Sequence, residues 1–410
     1  MSRVFITGRG LITPLGNGLQ VNEEALRAGR SGTVFVKEWR ARGLDSQVAG
    51  VADEDPPCPL LDKKRKRFTP ANARMAVGAV YEALQEAKLG PEEIKQQKIA
   101  VIGGVAGSNY EEMYDNADAF NKTGRLRSVL TFIVPRAMAS SAVSNLSLIF
   151  GFKGESYDIS SACSSSAHAV LQGTRLIRSG EYDIVVCGGA EELNWVHALG
   201  FMAMRALSRK YNDNPSIASR PFDTERDGFV IAEGAGWVVL ESEASIRRRN
   251  VRPICEITGY GANSNCTDMV QPDAEATSDV VRMALKSANL QAKDIQYINT
   301  HGTATGIGDP VEMDALKDIF GGNSPAINST KSMTGHMIGA TGAVEVIYSS
   351  MMMEKNFICP SINLDNPEPA FDWADLVRSC RNDVKVTHAL SNSFAFGGTN
   401  VCLVLSSMER

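Results

Sequence analysis

Long apolar runs, C-x-x-C pairs and an excess of basic residues are all missing from this 410-residue chain. No apolar run approaches the roughly 18 residues that cross a bilayer, and the N-terminal MSRVFITG lacks the apolar segment of a signal peptide. The eight scattered cysteines predict neither a disulfide framework nor a zinc site. A net charge of −5 argues against a protein that wraps nucleic acid. We therefore expect a cytoplasmic protein with reduced thiols, no membrane insertion and no nucleic-acid partner.

What the chain does contain is a weak internal repeat. Residues 4–10, VFITGRG, resemble residues 255–261, CEITGYG, and both read as a buried strand that ends in a glycine turn. Residues 83–89, ALQEAKL, resemble residues 284–290, ALKSANL, and both have the apolar spacing of a helix. Because both pairs occur in the same order, the sequence predicts an α/β protein of two duplicated halves, residues 1–251 and 252–410.

One cysteine lies in a setting suited to a nucleophile. Residues 157–168, YDISSACSSSAH, pass from a short strand through small residues into a predicted helix that runs to about Ile177. Cys163 falls at the first turn of that helix, where unpaired N–H groups and the helix dipole favour a thiolate. We therefore predict that the pKa of Cys163 is below that of a free cysteine. The other seven cysteines are interpreted as structural thiols.

Three further junctions are rich in glycine, serine and threonine. His301 lies in residues 299–306, NTHGTATG, while Lys331 and His336 lie in residues 329–342, STKSMTGHMIGATG. Phe396 lies in residues 391–400, SNSFAFGGTN. A single histidine on such a loop is more often a structural hydrogen-bond partner than a catalyst. Two of them, together with a cysteine at a comparable junction, favour a shared catalytic site.

Together these motifs resemble the signature set of the β-ketoacyl-acyl-carrier-protein synthases. Their order and spacing match along essentially the whole chain, and residues 206–213, ALSRKYND, are most similar to the synthase I subtype. The resemblance implies the thiolase-like fold, in which two duplicated halves form one five-layered α/β/α/β/α domain. One departure is Ala395, since the family usually has glycine between the two phenylalanines, and its methyl group is expected to stiffen this loop.

The resemblance also implies a reaction. The enzyme would be an acyltransferase, a 3-oxoacyl-[acyl-carrier-protein] synthase, that elongates fatty acyl chains by two carbons in a decarboxylative Claisen condensation. Cys163 would hold the acyl group as a thioester. His301 and His336 would donate hydrogen bonds to the enolate formed when malonyl carrier protein loses CO2. The backbone N–H groups of Cys163 and Phe396 would form the oxyanion hole for the condensation.

Further roles follow from the same resemblance. Lys331 would bias protonation near His336, and Glu312 would pair with Lys331, although a purely structural buried ion pair remains an open alternative. The residues expected to bind substrate, with the two threonines on the pantetheine arm, are Thr303, Thr305, Phe201, Phe394 and Met138. The residues expected to dock the acidic carrier protein are Lys63, Lys64, Lys66, Arg67, Arg125 and Arg127. The residues expected to hold a structural monovalent cation are Asn299, Glu345, Ser391 and Asn392.

No cofactor is expected to be required, because the 4'-phosphopantetheine arrives on the carrier protein. The family also implies a homodimer formed by strand pairing, for which the apolar run at residues 184–190, IVVCGGA, is a candidate strand. Residues 130–138, which include Met138, would then reach the neighbouring active site and wall off the acyl tunnel.

The sequence bears differently on three other functions. A degradative thiolase would need a second cysteine late in the chain, but the only one there, Cys402, lies beyond the glycine turn. A non-enzymatic chain-length partner subunit would lack the nucleophile, which this chain retains. An active ketosynthase of a specialised polyketide or polyene pathway, which would use the same chemistry, stays open.

Overall fold

The computed structural model describes residues 2–107 and 109–408. Its strands are β1 (Val4–Thr13), β2 (Gly16–Asn17), β3 (Thr33–Phe35), β4 (Val48–Gly50), β5 (Ile99–Gly104), β6 (Ser156–Ile159), β7 (Ile184–Glu191), β8 (Gly234–Ser242), β9 (Cys255–Ser264), β10 (Tyr297–Asn299), β11 (Ala326–Asn328), β12 (Phe357–Ile358), β13 (Asp375–Leu376), β14 (Arg381–Asn382), β15 (His388–Phe394) and β16 (Thr399–Ser407). Its α-helices are α1 (Leu19–Ala28), α2 (Lys37–Ala41), α3 (Ala71–Glu86), α4 (Pro91–Gln96), α5 (Tyr110–Thr123), α6 (Ile133–Ala137), α7 (Ser141–Phe150), α8 (Ser165–Arg178), α9 (Trp195–Ala203), α10 (Glu243–Arg249), α11 (Ala274–Ala288), α12 (Gly308–Phe320), α13 (Lys331–Thr334) and α14 (Thr341–Lys355). In this part of the chain, no helix combines the length and the apolar character needed to cross a bilayer.

The two halves of the chain repeat one sheet topology. The hydrogen-bonded order is β1-β8-β7-β5-β6 in the first half and β9-β16-β15-β10-β11 in the second. In each half the first two strand pairs are antiparallel and the next two are parallel. β1 and β9 also pair, through Phe5 with Glu256 and Ile6 with Cys255, and this joins the two sheets edge to edge. The boundary predicted at residues 251 and 252 falls in the connection between α10 and β9, and it stays a prediction.

The repeated sequence segments are the two sides of one packing contact. Gly8 of β1 lies against the backbone of α3, where a Cβ atom at Gly8 would stand 2.1 Å from the Ala83 carbonyl oxygen. Gly259 of β9 lies against α11 in the same way, and its Cβ atom would stand 2.7 Å from the Ala284 carbonyl oxygen. Any side chain at these two positions would push the helix off the sheet, so the glycine-bearing strands and the alanine-bearing helices recur together.

Helices and sheets stack in layers. α3 packs on one face of the first sheet, α11 packs on the outer face of the second, and α12 packs beside α11. Between the two sheets lie α8 and α14, which contact strands of both halves. Residues Thr341 to Met353 of α14 are all buried, as expected for a helix enclosed on every side. This is the α/β/α/β/α arrangement expected of the thiolase-like fold.

The apolar run at residues 184–190, the candidate strand for pairing across a dimer, does not lie at an edge of the first sheet. β7, which contains the apolar run at residues 184–190, lies inside the first sheet and pairs with β5 and β8. Both of its edges are used, so it cannot pair with a second subunit, and the proposal of residues 184–190 for that role is wrong. Among the described residues, the free edge of the first sheet is β6.

Candidate active site

Cys163 stands in a tight turn between a strand and a helix. A 3-10 turn over Ala162–Ser164 follows β6, and α8 begins at the next residue. Ala162 has φ = 48°, a left-handed conformation that is unfavourable for a residue with a side chain. Two hydroxyls stabilise the turn, since Ser165 Oγ donates to the Ala162 carbonyl (2.6 Å) and Ser164 Oγ donates to the Ser161 carbonyl (2.9 Å). The small polar residues around Cys163 therefore form the turn and also leave space beside the sulfur.

The two predicted histidines reach Cys163 from the second half of the chain. His301 follows β10, and His336 follows α13 and precedes α14. The Cys163 sulfur and one ring nitrogen of each histidine all lie within 4.8 Å of one another. The two imidazole rings are nearly perpendicular, at 87°, with centroids 5.3 Å apart. The structure thus brings together the three side chains that the sequence motifs selected.

Both histidines are neutral. Burial lowers the pKa of His301 and of His336 well below the usual value for histidine, and the positive charge of Lys331 lowers both further. Nδ1 of His336 lies 3.1 Å from Thr341 Oγ1, while its Nε2 is buried without a hydrogen-bond partner in the described part of the chain. A neutral imidazole whose second nitrogen is unpaired can donate a hydrogen bond to a ligand.

Lys331 forms a buried ion pair, but not with the predicted partner. Its Nζ lies 2.5 Å from Glu345 Oε1, and both side chains are only 1% exposed. Glu312 instead accepts hydrogen bonds from the backbone N–H groups of His301 (2.9 Å) and Gly302 (2.8 Å). The predicted pair of Lys331 with Glu312 is wrong, because the packing of α14 between the sheets brings Glu345 to the amino group. Glu312 fixes the main chain that carries His301.

The oxygen atoms around this ion pair are incompletely satisfied. Glu345 Oε2, Asn299 Oδ1 and Asn392 Oδ1 are buried and have no hydrogen-bond partner within the described residues. Asn299 faces Ser391 in the parallel pairing of β10 with β15. Burial raises the pKa of Glu312 and of Glu345 to about 7. Buried oxygen atoms without donors are the ligands that hard cations take, so these residues fit the predicted cation.

The pKa of Cys163 moves in the direction opposite to the predicted one. Burial raises it to about 12, although Lys331 and the backbone N–H groups of Phe396 and Cys163 oppose the shift. The prediction of a lowered pKa is wrong, because the enclosed site removes the water that would stabilise a thiolate. The two N–H groups that oppose the shift are the pair predicted to form the oxyanion hole.

A cavity of about 350 Å³ opens onto the three catalytic side chains. The predicted residues that line it, besides the catalytic ones, are Phe201, Thr303, Thr305, Phe394 and Phe396. The hydroxyls of Thr303 and Thr305 lie 3.2 Å apart and form a small polar patch in a mostly apolar wall.

Sequence reasoning missed several residues of this wall. They are Met204, Arg205, Phe229, Asn265 and Gln271. No local motif marks them as wall residues, since they come from three separate segments that only the fold brings together. The sequence offers one signal, Gly228, which precedes Phe229. In the structure Gly228 has φ = 131°, a conformation that favours glycine.

The remaining predicted residues lie outside this cavity. The structure does not place Met138 among the lining residues, and its side chain is 36% exposed. The first basic segment of the predicted docking surface contacts the chain that follows the second, because the rings of Phe68 and Phe132 are 4.4 Å apart and Arg136 donates to the Arg67 carbonyl (3.1 Å). Lys66 forms an ion pair with Asp55 (2.6 Å).

Comparison with known proteins identifies the family. Residues 1–245 match the family described as beta-ketoacyl synthase, N-terminal domain, and residues 254–365 match the corresponding C-terminal domain. This chain belongs to the β-ketoacyl synthase family.

The similarity to individual β-ketoacyl synthases extends over the whole chain. It is 40% identical over 410 residues to 3-oxoacyl-[acyl-carrier-protein] synthase 1 of Escherichia coli K12, covering 100% of both chains. A beta-ketoacyl synthase from Burkholderia phymatum STM815 superposes with a TM-score of 0.94 at 33% identity, again over 100% of both chains. A type II polyketide ketosynthase, solved with its acyl-carrier protein, superposes with a TM-score of 0.90 at 28% identity over 100% of both chains. The predicted family, thiolase-like fold and condensing-enzyme class are confirmed.

Proposed function

We propose that this β-ketoacyl synthase is a 3-oxoacyl-[acyl-carrier-protein] synthase that elongates fatty acyl chains by two carbons, with malonyl carrier protein as the two-carbon donor. The observation that carries the proposal is the meeting of Cys163, His301 and His336 within 4.8 Å on one cavity. A thiol nucleophile, two neutral hydrogen-bond donors and a separate pair of backbone N–H groups are the parts that this condensation needs.

In the first half-reaction, Cys163 accepts the acyl group. Its sulfur forms a bond with the thioester carbonyl carbon of the acyl carrier protein, and the bond to the pantetheine sulfur breaks. The thiol proton of Cys163 passes to the departing sulfur. The backbone N–H groups of Cys163 and Phe396 would stabilise the tetrahedral oxyanion. Because burial raises the pKa of Cys163 to about 12, the free enzyme keeps its thiol protonated until a thioester arrives.

In the second half-reaction, malonyl carrier protein loses CO2. The bond between its carboxylate carbon and its α-carbon breaks, and the electron pair moves into the thioester to form an enolate. Neutral His301 and His336 would each donate a hydrogen bond to the enolate oxygen. The α-carbon then bonds to the acyl carbonyl carbon, and the bond to the Cys163 sulfur breaks. The sulfur takes up a proton and the free enzyme is restored.

Docking of the carrier protein would use the two basic segments at residues 63–67 and 125–127. Carrier proteins of this kind are acidic, and Lys63, Lys64, Arg67, Arg125 and Arg127 are all exposed. Lys63→Glu combined with Lys64→Glu is expected to raise the KM for carrier-bound substrate while leaving kcat nearly unchanged. The matched control is Lys95→Glu, which reverses an exposed charge on α4 and is expected to leave KM unchanged.

A second copy of the chain would cover an apolar surface beside β6. Leu126, Val134 and Leu148 are 79%, 73% and 82% exposed, and Leu148 belongs to α7, which packs against β6. We infer a homodimer whose subunits pair through β6, and this would bring residues 130–138 to the neighbouring active site. Leu148→Asp is expected to give a monomer in sedimentation velocity, whereas the same change at the exposed Met408 is expected to leave the dimer intact.

The unsatisfied oxygens of Asn299, Asn392 and Glu345 support a structural monovalent cation. A cation there would compensate the charge of Glu345 and Glu312, of which only Glu345 forms an ion pair with Lys331 among the described residues. Replacement of potassium and sodium by choline at constant ionic strength should then lower the midpoint of thermal unfolding. No cofactor is required in this scheme, and a cytoplasmic location stays a prediction.

A specialised polyketide or polyene ketosynthase is the second candidate. A row of packed rings supports this second candidate. The ring centroids of Phe229 and Phe201 are 5.2 Å apart, those of Phe201 and His197 are 5.0 Å apart, and those of His197 and Tyr110 are 5.3 Å apart. Burial lowers the pKa of His197 to about 4, so its imidazole is neutral. Aromatic faces of this kind can stack on a flat conjugated acyl chain.

One experiment tests both candidates. Carrier proteins loaded with saturated or conjugated acyl groups of equal length are offered together with malonyl carrier protein, and the products and the mass of the Cys163 peptide are measured. A fatty acid synthase is expected to prefer the saturated series. Cys163→Ala, which removes only the sulfur, is expected to abolish condensation without loss of fold. Condensation by this variant, or acylation of another cysteine, would contradict the proposed chemistry.

A further inference from the structure

Glu191, the last residue of β7, connects two parts of the active site that the reaction scheme treats separately. Its carboxyl group is fully buried and accepts hydrogen bonds from the backbone N–H groups of three described residues. Oε2 accepts from Ala106 (2.9 Å) and from Gly339 (3.1 Å), and Oε1 accepts from Gly107 (3.0 Å). One oxygen atom is therefore shared between the segment after β5 and the segment before α14.

The first of these segments lies beside the nucleophile. Ala106 packs in one apolar cluster with Cys163, Phe201 and Ile338. The end of β5 is pressed against the start of α8, because a Cβ atom at Gly104 would stand 2.3 Å from the Ser166 nitrogen. An acyl group on the Cys163 sulfur that extended into this apolar cluster would therefore press on this segment.

The second segment lies beside His336. It forms a turn that copies the turn of the nucleophile, because Ile338 has φ = 44° where Ala162 has φ = 48°, and a helix follows in both cases. Gly339 stands at the position that Cys163 holds in the first turn. A Cβ atom at Gly339 would lie 2.6 Å from Glu191 Oε2 and 2.6 Å from the Ala106 nitrogen. The buried carboxylate and the Ala106 backbone thus leave no room for a side chain in the second turn.

We propose that Glu191 is a positioning residue that couples acylation of Cys163 to decarboxylation at His336, an inference that rests on the proposed function. The acyl group displaces the segment that contains Ala106. Because Oε2 also holds Gly339, three residues beyond His336, the same displacement shifts the imidazole into place for the enolate oxygen. Close packing and a low local dielectric make these hydrogen bonds stiff and strong.

This coupling would prevent a wasteful reaction. On an unacylated enzyme, loss of CO2 from malonyl carrier protein leaves an enolate with no acyl group to attack. The enolate carbon then takes a proton from water, and acetyl carrier protein is released without any chain extension. An enzyme that positions His336 only after Cys163 is acylated releases CO2 mainly when condensation can follow.

The neighbouring residue provides a matched control. Glu192 is also buried, and its Oε1 accepts from the Asn109 backbone N–H (2.6 Å) and lies 3.4 Å from Asn194 Nδ2. It therefore contacts the chain that follows Ala106 and Gly107, but within the described part of the chain none of its hydrogen bonds reaches the segment of His336. Glu191→Gln and Glu192→Gln each replace one carboxylate by an isosteric amide, whose NH2 group must face an N–H donor.

The experiment measures single-turnover CO2 release from malonyl carrier protein by free enzyme and by enzyme acylated on Cys163. The ratio of the second rate to the first is expected to be well above one in the unchanged protein. It should fall about tenfold in Glu191→Gln, because the amide cannot accept all three backbone N–H groups, and the loss of one buried hydrogen bond changes an equilibrium by about that factor. Glu192→Gln is expected to keep the ratio. An unchanged ratio in Glu191→Gln, or an equal fall in both variants, would overturn the coupling.

Two further outcomes are informative. If the unchanged protein acylates Cys163 but does not condense, the proposed function itself fails. If Glu191→Gln does not fold, amide hydrogen exchange in the unchanged protein decides, by comparing residues 104–107 and 336–340 before and after acylation of Cys163. The coupling predicts that exchange changes in both segments, and a change confined to residues 104–107 would refute it.

Discussion

Removal of the His336 ring is expected to separate the two half-reactions. In His336→Ala the cavity loses a neutral donor whose Nε2 has no hydrogen-bond partner among the described residues. The sulfur of Cys163 and the backbone N–H groups of Cys163 and Phe396 are unchanged by this substitution. Acyl transfer to Cys163 should therefore persist while release of CO2 from malonyl carrier protein fails.

The size of the effect follows from the role of a single donor. Removal of one donor from an oxyanion site lowers a rate by about 10²–10³, which corresponds to about 2.7–4 kcal/mol. The effect on folding includes the hydrogen bond of Nδ1 with Thr341 Oγ1, worth about 1 kcal/mol, and the packing of a ring that is only 2% exposed. The folded variant should be slow, with the deficit confined to decarboxylation.

Two assays on the same sample test this expectation. Intact-protein mass spectrometry follows the acyl group on Cys163, and trapping of CO2 follows decarboxylation. His388→Ala is a matched control, because His388 bonds to Ser406 (2.8 Å) and does not line the cavity. Loss of acyl transfer with CO2 release intact would refute the assignment. Because burial keeps the pKa of His336 well below its usual value, His336 should add no pH dependence to CO2 release between about pH 6 and pH 8. A change within this range is expected from Glu312 and Glu345, whose pKa burial raises to about 7.

Three other changes have defined outcomes. Alkylation of Cys163 by iodoacetamide, read from its peptide mass, should rise about tenfold per pH unit up to about pH 9, since burial raises the pKa of the thiol to about 12, and a plateau near neutral pH would contradict this. Lys331→Met should raise the pKa of both active-site histidines, because the charge of Lys331 lowers these pKa values. CO2 release should then fall more steeply on acidification than in the unchanged protein, and a flat pH profile of the variant would contradict this expectation. Gly259→Ala should destabilise the fold by about 1–3 kcal/mol in urea unfolding, because its Cβ atom would stand 2.7 Å from the Ala284 carbonyl oxygen, whereas Gly322→Ala meets no atom within 4 Å and should change little.

The nucleophile and the two histidines could be predicted from the sequence because their surroundings are local. Small residues before a helix form the turn of Cys163, and glycine- and threonine-rich segments form the loops of His301 and His336. Each motif specifies its own backbone with little help from the rest of the chain. The resemblance to a family predicts that these loops meet. In the structure, the layered packing of the two halves brings them together.

The partner of Lys331 could not be predicted in the same way. Glu312 precedes Lys331 and Glu345 follows it, both within the second half of the chain. Neither sequence spacing is that of neighbours on one helix. The choice depends on where α14 lies, and α14 is buried between two sheets that come from different halves of the chain. Charge and sequence distance therefore carry too little information to select the pair.

The elements that depend on neighbouring residues can be read from the amino-acid order alone: the repeated strand and helix, the tight turn at Cys163, and the glycine loops of the histidines. Properties that depend on enclosure and on contacts across the chain arise in the folded protein. Burial reversed the expected direction of the pKa of Cys163, because desolvation of a thiolate outweighs the nearby N–H groups and the charge of Lys331. The sheet order placed β7 inside the first sheet, and it placed Glu191, at the end of β7, between the segment after β5 and the segment before α14. These outcomes are properties of the packed chain, since removal of water and close contact between distant segments arise only when both halves are folded together.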